Sequence, residues 1–341
     1  MEKQADAKVR YLSRLLLSVS AKSPAAREKQ RVWFGGLALF AQIGGVGLAV
    51  FLWWLGFPPG TLELWLLFWG YFLTMTGLEI GYHRYFAHRA FCSVSSIKIL
   101  LAILGSMTMQ GPIIWWAAIH HRHHAFTDRE GDPHSPHILL QGRFQKLRGL
   151  MHAHVGWIFS NESHQIRAAD HGAVSYMYRD SKIFKIHISY MFWALIGLLA
   201  PAAICGIYYA TWQGAFSGFL WAGLVRVFLT SQAMWAVNSV GHSIGSRTYK
   251  TRDKSHNSFI LALITLGAGW HNNHHSDPRS AFLDHRWWQF DLGGGLIRMC
   301  MVIGLMSMPR FPFSNRLNKG VKSPLRETNG YNNSEDELNE Q

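Results

Sequence analysis

Long apolar stretches alternate with short links along most of the chain. Four of them exceed the roughly 20 residues that a helix needs to cross a bilayer, and they cover residues 33–57, 62–82, 186–210 and 215–237. The first pair is joined by Pro58 to Thr61 and the second pair by Thr211 to Gly214, and neither link carries a charge. The pattern predicts an all-α integral membrane protein whose four transmembrane helices form two hairpins.

Two further apolar stretches are not predicted to cross the membrane. Ile97 to Ile119 is long enough, but Gly111-Pro112 interrupts it, and a crossing would place the histidines on its two sides in different compartments. Ser258 to Trp270 is too short to span. We expect both stretches to form helices that pack on the membrane or dip into it.

The distribution of charge indicates an orientation. The net charge of +13 is compatible with nucleic acid, anionic lipid or an acidic small substrate. Many basic residues directly precede the first apolar stretch, where they indicate a cytoplasmic flank beside the lipid rather than a nucleic-acid surface: Lys3, Lys8, Arg10, Arg14, Lys22, Arg27, Lys29 and Arg31. Both termini and the region between the two predicted hairpins are then expected in the cytoplasm, with the uncharged links outside.

These features divide the chain into three regions. Residues 1–32 form a basic cytoplasmic segment, residues 33–308 a membrane domain, and residues 309–341 a polar tail. The tail ends in NNSEDELNEQ, which predicts disorder. We find no signal peptide with a cleavage site, because the early basic region runs into a long spanning segment.

The 19 histidines are the most unusual feature of the composition. Three clusters hold many of them: HRYFAH from His83 to His88, HHRHH from His120 to His124, and HNNHH from His271 to His275. On a helix, positions 0, 3 and 4 share one narrow arc, so the second and third clusters each direct three imidazoles to one side. His83 and His88 lie about 140° apart on a regular helix, so this pair is expected to straddle a helix end.

The number of imidazoles narrows the choice of metal. Imidazole binds Fe, Zn, Cu and Ni alike. Eight histidines exceed what one four-coordinate zinc uses, whereas they fit two iron ions with roughly four to five ligands each. Cys92, Cys205 and Cys300 are far apart and share no metal-ligand spacing. A site without thiolate ligands also suits oxidising iron and oxygen chemistry, which would destroy them.

At these motifs the sequence resembles the membrane fatty acyl desaturases, the stearoyl-CoA 9-desaturase group with its bacterial acyl-CoA and acyl-lipid relatives. The resemblance runs from about Leu62 to Leu305 and includes GPIIWWAAIHHRHH, DPHSP, HAHVGW, NSVGH, GWHNNHH and RWWQFDL. It implies a cytoplasmic helical cap that holds a His-rich di-iron site, with Asn238 holding a water near one iron. The implied iron ligands are His83, His88, His120, His123, His124, His242, His271, His274 and His275.

The resemblance also implies an acyl tunnel. Gln110, Trp116 and Trp235 match the positions that line its bend, although packing in the core or at the membrane interface is an equal alternative for the two tryptophans. Met234 stands where animal relatives place a Thr beside the bend, and Ala268 stands where relatives often carry a Glu. These departures leave the chain length and the attacked carbons open.

Other positions have weaker assignments. Arg122, Arg143, Lys146 and Arg148 are candidates for binding the headgroup of an acyl substrate, with a solvated charged face as the alternative. The stretch Asp284-His285-Arg286 replaces a usual RHG. His121 is expected to lie behind the metal ligands, and the sequence leaves the role of His154 open. Hydrogen-bonded or surface roles are expected for His134, His137, His152, His164, His171, His187, His256 and His285.

The resemblance implies an oxidoreductase that puts a cis double bond, at the 9-position, into a long-chain acyl-CoA or acyl-lipid. Dioxygen is the implied co-substrate. No HPGG haem motif is present, so the electron donor is expected to be a separate ferredoxin or a haem-b cytochrome with its reductase. The alternatives are a di-iron membrane hydroxylase or alkane monooxygenase, which shares the boxes, and a metal-binding transporter, which would place more polar residues within the spans.

Overall fold

The computed structural model describes residues 24–138, 144–160 and 168–312. Most of the predicted basic N-terminal segment and nearly all of the predicted polar tail lie outside the described residues. Arg143 and His164 also lie outside them.

The described part of the chain is mostly helical. The α-helices are α1 (Pro24–Trp54), α2 (Thr61–Thr76), α3 (Ser95–Ser106), α4 (Ile113–Phe126), α5 (Gln145–His154), α6 (Ala168–Ala173), α7 (Ser175–Arg179), α8 (Ser181–Ile188), α9 (Tyr190–Tyr209), α10 (Trp212–Gly218), α11 (Arg226–Ser239), α12 (Phe259–Ile264), α13 (His271–Ser276) and α14 (Leu292–Val302). Gly77–Ala87 and Phe219–Val225 are π-helical, and Gly156–Phe159 is a 3₁₀ turn. Strands β1 (Cys92–Ser93) and β2 (Met306–Ser307) pair antiparallel.

Four helical stretches are long and apolar enough to cross a membrane. They are the first span Val32–Trp54, the second span Thr61–Ala87, the third span Tyr190–Tyr209 and the fourth span Trp212–Ser239. These stretches agree with the predicted ones, apart from shifts of a few residues at their ends. The second span extends five residues further than predicted because its last part, Gly77–Ala87, winds as a π-helix through the first histidine cluster.

The fourth span lies at the centre of the helical bundle. It packs against each of the other three spans. In its most apolar window 61% of the residues are buried, compared with 17% in the first and third spans. The first span packs mainly on the fourth span rather than on the second. The outer spans therefore present their apolar side chains outwards, towards lipid.

A hydrogen bond between the second and third spans shows which of their ends lie together. Tyr209, at the end of the third span, donates a hydrogen bond of 3.0 Å to Glu63 at the start of the second. The link from Leu55 to Gly60 and the link at Ala210 and Thr211 therefore share one end of the bundle. The other end carries His83 on the second span and Asn238 on the fourth.

The two shorter apolar stretches do not cross the bundle. The chain turns back between α3 and α4, with Met109 at φ 59° and Gly111 at φ 100°, so His88 and His120 come into contact on the same side. Helix α12 lies beside the second span, where Tyr71 donates to the carbonyl of Ile264. Both observations agree with helices that dip into the membrane.

We predict that an impermeant thiol reagent applied to intact cells will label Pro58→Cys and Gln213→Cys, because both positions lie in the uncharged links at the end remote from the histidines. The native Cys92 is exposed near the histidine end and is expected to react only after the membrane is permeabilised. Labelling of either introduced cysteine only after permeabilisation would contradict this topology.

Candidate metal centre

The first histidine cluster depends on π-helical winding. The amide of His88 donates to the carbonyl of His83, five residues earlier, at 3.1 Å. This spacing brings positions i and i+5 to the same side, whereas a regular α-helix separates them. The imidazole centroids of His83 and His88 are 5.0 Å apart. The pair does lie at a helix end, as predicted, but the winding that joins the two rings was not predicted.

The other two clusters lie on α4 and α13. Helix α4 begins after Pro112, and its last two turns carry His120, His123 and His124. Helix α13 has only six residues and is fixed by Asn257, whose side-chain oxygen accepts from the amides of Asn272 at 2.9 Å and Asn273 at 3.1 Å. Such side-chain acceptors replace the missing partners of first-turn amides. The side chains of the two asparagines of HNNHH bond to the backbone of Tyr249 and to Leu283 and Gln289, so their role is structural.

The nine histidines that the resemblance implied as ligands assemble into two adjacent groups. The first cluster consists of His83, His88, His120 and His274, and we count His124 as its fifth member because its Nε2 lies 3.1 and 2.9 Å from those of His120 and His274. The second cluster consists of His123, His242, His271 and His275. The imidazoles of His124 and His275 stack at 4.6 Å and join the two clusters.

Carboxylates fix the orientation of several imidazoles. The Nδ1 atom of His83 donates to Glu79 at 2.8 Å, and the Nδ1 atoms of His123, His242 and His275 donate to Asp132, Asp128 and Asp253 at 3.0, 3.0 and 3.1 Å. These carboxylates did not appear among the sequence-based candidates. Glu79 could have been recognised, since it precedes His83 by four residues and so shares its helical face.

This hydrogen bonding makes the clusters fit a cation. An imidazole that donates through Nδ1 has a bare lone pair on Nε2. The Nε2 atoms of His123 and His275, both on rings whose Nδ1 donates to a carboxylate in this way, face each other at 3.4 Å. Metal–imidazole bonds of about 2.0–2.1 Å place neighbouring ligand nitrogens about 3 Å apart. The spacing is therefore that of ligands around a metal ion.

Burial keeps the imidazoles in the neutral form that binds metal. It lowers the pKa of His120, His124, His271 and His274 well below the usual value, and it lowers the pKa of His275 to about 4 although Asp253 opposes the shift. Metal binding to histidine needs the deprotonated imidazole. His123 is the exception: although burial opposes the shift, the Asp132 carboxylate raises the pKa of this imidazole above its usual value, so His123 has to release a proton when a cation binds.

A buried charge pair ties the first cluster to the C-terminal part of the fold. Arg84 donates to Glu79 at 2.9 Å and binds both oxygens of Asp291 at 2.8 Å. All three groups are at most 5% exposed. Glu79 thus accepts from His83 and Arg84 together. The Asp291 of RWWQFDL therefore supports the first cluster from outside.

One cavity reaches both clusters. His83 and His120 of the first cluster and His123 and His271 of the second line it, together with the predicted substrate residues Gln110, Trp116 and Trp235 and with Asn238, Met234 and Ala268. Trp116 stacks on His120 at 5.0 Å, and Trp235 donates to Gln110 at 3.0 Å. The predicted bend residues therefore lie at the same place as Met234 and Ala268, two of the positions that depart from the family pattern.

Two sequence-based assignments, those of Arg122 and His134, need correction, whereas those of His121 and His154 are not contradicted. Arg122 is 2% exposed and donates to the carbonyl of Gly131, so it does not lie at an open mouth where a headgroup could bind. His134, expected at the surface or in a hydrogen bond, is 5% exposed, and its Nδ1 is buried without a hydrogen-bond partner beside the cavity. His154 bonds to Ser239 and Gln232, whereas His121 lies outside both clusters.

Four candidate spans and two adjacent imidazole clusters define a helical membrane protein that can hold a pair of metal ions. The fatty acid desaturase family model matches residues 63–292. The chain therefore belongs to the membrane fatty acid desaturases, a family that uses iron.

Several characterised proteins are similar to this chain. A hex-5-enoyl-[acyl-carrier protein] acetylenase of Moorena producens is 41% identical over 79% of this chain and 83% of that protein. A delta-9 desaturase-like protein of Arabidopsis thaliana is 32% identical over 71% of this chain and 75% of that protein. Acyl-CoA desaturase 1 of Saccharomyces cerevisiae is 30% identical over 70% of this chain, but the match spans only 44% of that longer protein.

We predict that His242→Ala will abolish activity and lower the bound metal while leaving the protein folded in the membrane, because it opens the second cluster. Asn238→Ala should retain the metal and lose part of the activity, since we expect it only to orient a water. His285→Ala is the matched control, because this histidine bonds to Tyr249 away from the clusters. Near-normal turnover and metal content in His242→Ala would contradict the assignment.

We also predict that Asp128→Asn will weaken metal binding about 10- to 100-fold, the usual loss when a partner behind a metal ligand is changed. The amide keeps the side-chain shape but can present an N–H to His242. Metal retention during titration with a chelator measures the effect. Asp284→Asn, which alters an ion pair with Arg298, should match the parent; equal retention in both variants would exclude the role of Asp128.

Proposed function

We propose that this protein is an oxygen-dependent desaturase that introduces a cis double bond, at the 9-position, into a long-chain acyl-CoA or acyl-lipid. The observation that carries the proposal is the single cavity bordered by both histidine clusters and by aromatic and aliphatic side chains. An alkyl chain in this cavity would lie beside both metal positions.

We propose two iron ions as the metals, held by the five histidines of the first cluster and the four of the second. When bound, they would supply the oxidising power that removes two hydrogens from the alkyl chain while dioxygen is reduced to water. The all-nitrogen donor set supports this choice, since it has no thiolate to be oxidised. Asn238, which lines the cavity beside His271, would hold a water next to the second cluster.

The residues of the chain would supply orientation and exclude bulk water. Glu79 and the three aspartates would keep the Nδ1 protons of four imidazoles, those of His83, His123, His242 and His275, directed outwards, so that their Nε2 atoms face inwards. Trp116, stacked on His120, and the bonded pair of Gln110 and Trp235 form the cavity wall. A rigid wall of this kind would hold a featureless alkyl chain in one register.

The headgroup of the substrate would bind outside the cavity. Lys146 and Arg148 are exposed on α5, and the turn after α5 carries Trp157, which lines the cavity. These two cations remain candidates for the headgroup, in place of the buried Arg122. Two electrons would come from a ferredoxin or a haem-b cytochrome with its reductase, which would dock on the cytoplasmic side.

We predict that expression in a desaturase-deficient host will produce cis-monounsaturated acyl chains with the double bond at the 9-position, mapped by mass spectrometry of the lipids. The His242→Ala variant is the negative control. Purified protein should contain two iron ions per chain and lose activity when they are removed. Hydroxylated products would instead identify a membrane hydroxylase, and full activity with zinc after iron removal would refute the iron assignment.

Assays with purified protein can separate the acyl carriers. The same long-chain acyl group is presented as a CoA thioester, as a glycerolipid and as a carrier-protein thioester, the last because the Moorena relative is named for such a substrate. We expect turnover with the first or the second. Turnover only with the carrier-protein thioester would overturn the proposed substrate class while leaving desaturation intact.

A further inference from the structure

Arg226 is a buried charge inside the fourth span. It is 2% exposed, and within the described residues no carboxylate lies at ion-pair distance from it. Its guanidinium donates to neutral acceptors on four segments: the carbonyl of Ala222 at 3.0 Å, Thr74 Oγ1 at 3.1 Å, the carbonyl of Met107 at 3.3 Å and that of Gly197 at 2.9 Å. Charges within membranes are costly and usually serve a function.

Two of these acceptors are backbone carbonyls that have no helical N–H partner. Pro201 lies inside α9 and has no N–H, so the carbonyl of Gly197, four residues earlier, loses its helical partner. Met107 follows the end of α3, where the last helical carbonyls also lack partners. An unsatisfied carbonyl at membrane depth is expensive. Arg226 provides the donors that both of these carbonyls need.

The surrounding glycines leave room for this arrangement. A Cβ atom on Gly70 would lie 2.9 Å from Cδ of Arg226, so the arginine side chain passes through the space that a side chain would fill. A Cβ atom on Gly197 would lie 2.9 Å from Cβ of Met107 and 3.1 Å from its carbonyl oxygen. The second and third spans are therefore shaped to admit the guanidinium and the turn that it binds.

The turn bound by Arg226 forms part of the cavity wall. It runs from Met107 to Gly111 and includes Gln110, whose amide donates to Ser231 at 2.9 Å and accepts from Trp235 at 3.0 Å. Helix α11 therefore holds the turn at two points, through Arg226 at its start and through Ser231 and Trp235 at Gln110. Loss of the first point would let Gln110 move relative to the histidines.

We propose that Arg226 is a positioning residue that fixes the turn from Met107 to Gly111 and thereby the register at which an acyl chain meets the metal clusters. The proposal rests on the proposed function, because it takes the cavity as the acyl site. Arg226 touches no cavity-lining histidine, so it would act through Gln110. It would determine which carbons are attacked more than how fast they react.

The test compares Arg226→Met and Arg226→Lys with the parent in the desaturase-deficient host. We expect the ratio of double-bond positional isomers to change by about tenfold in Arg226→Met, equivalent to ~1.4 kcal/mol between two registers, and by less in Arg226→Lys, which keeps one donor group. Hydrogen exchange of the peptide containing residues 107–111 should rise in parallel. Thr74→Val, which removes one acceptor, should shift both measurements in the same direction.

Glu63→Gln is the matched control, because Glu63 is a buried charge at the far end of the spans. It should leave the isomer ratio and the exchange of the turn unchanged. A parent-like ratio and exchange in Arg226→Met would overturn the proposal, and if that variant does not fold, Arg226→Lys and Thr74→Val decide by the same criterion. A parent that forms no double bond would instead refute the proposed function and its register, while hydrogen exchange would still show whether Arg226 holds the turn.

Discussion

The structure depends on one constraint: nine imidazoles must direct their metal-binding nitrogens into one buried volume. Facing lone pairs repel each other, and burial removes the water that would otherwise separate them. The carboxylates of Glu79, Asp128, Asp132 and Asp253 hold four of these rings from behind, so the repulsion cannot be relieved by turning the rings. A cation between the rings converts that repulsion into attraction, and the surrounding helices are arranged to keep the rings in place until one binds.

The membrane-embedded half of the fold solves a related problem with one buried cation and several neutral groups. Its central span must carry polar donors into a region without water, because a proline and a helix end leave carbonyls unpaired beside it. One guanidinium satisfies two of those carbonyls, and a serine and a tryptophan on the same helix hold the neighbouring glutamine. The same few hydrogen bonds therefore stabilise both the wall of the cavity and the packing of the spans.

The sequence alone was sufficient to predict the membrane spans and the grouping of the histidines. The length of an apolar stretch and the i, i+3, i+4 spacing of histidines are local properties of the sequence, so they can be interpreted without knowing the tertiary structure. The π-helical winding at His83 and His88 is not visible in that pattern, because the same residues would be compatible with an α-helix. The partnership of Asp253 with His275 joins residues far apart in the chain. The burial of Arg122 likewise depends on the Gly131 loop folding over it.

The pairing of Arg84 with Asp291 has a consequence for biosynthesis. The first cluster begins at residue 83, yet its supporting carboxylate accepts from an arginine whose second partner lies more than 200 residues later. During translation, the early histidines emerge long before Asp291, and until then a buried cation would remain without its second carboxylate. The first cluster also takes His274 from the C-terminal part of the chain, so the arrangement seen here is complete only after the chain has been synthesised as far as Asp291.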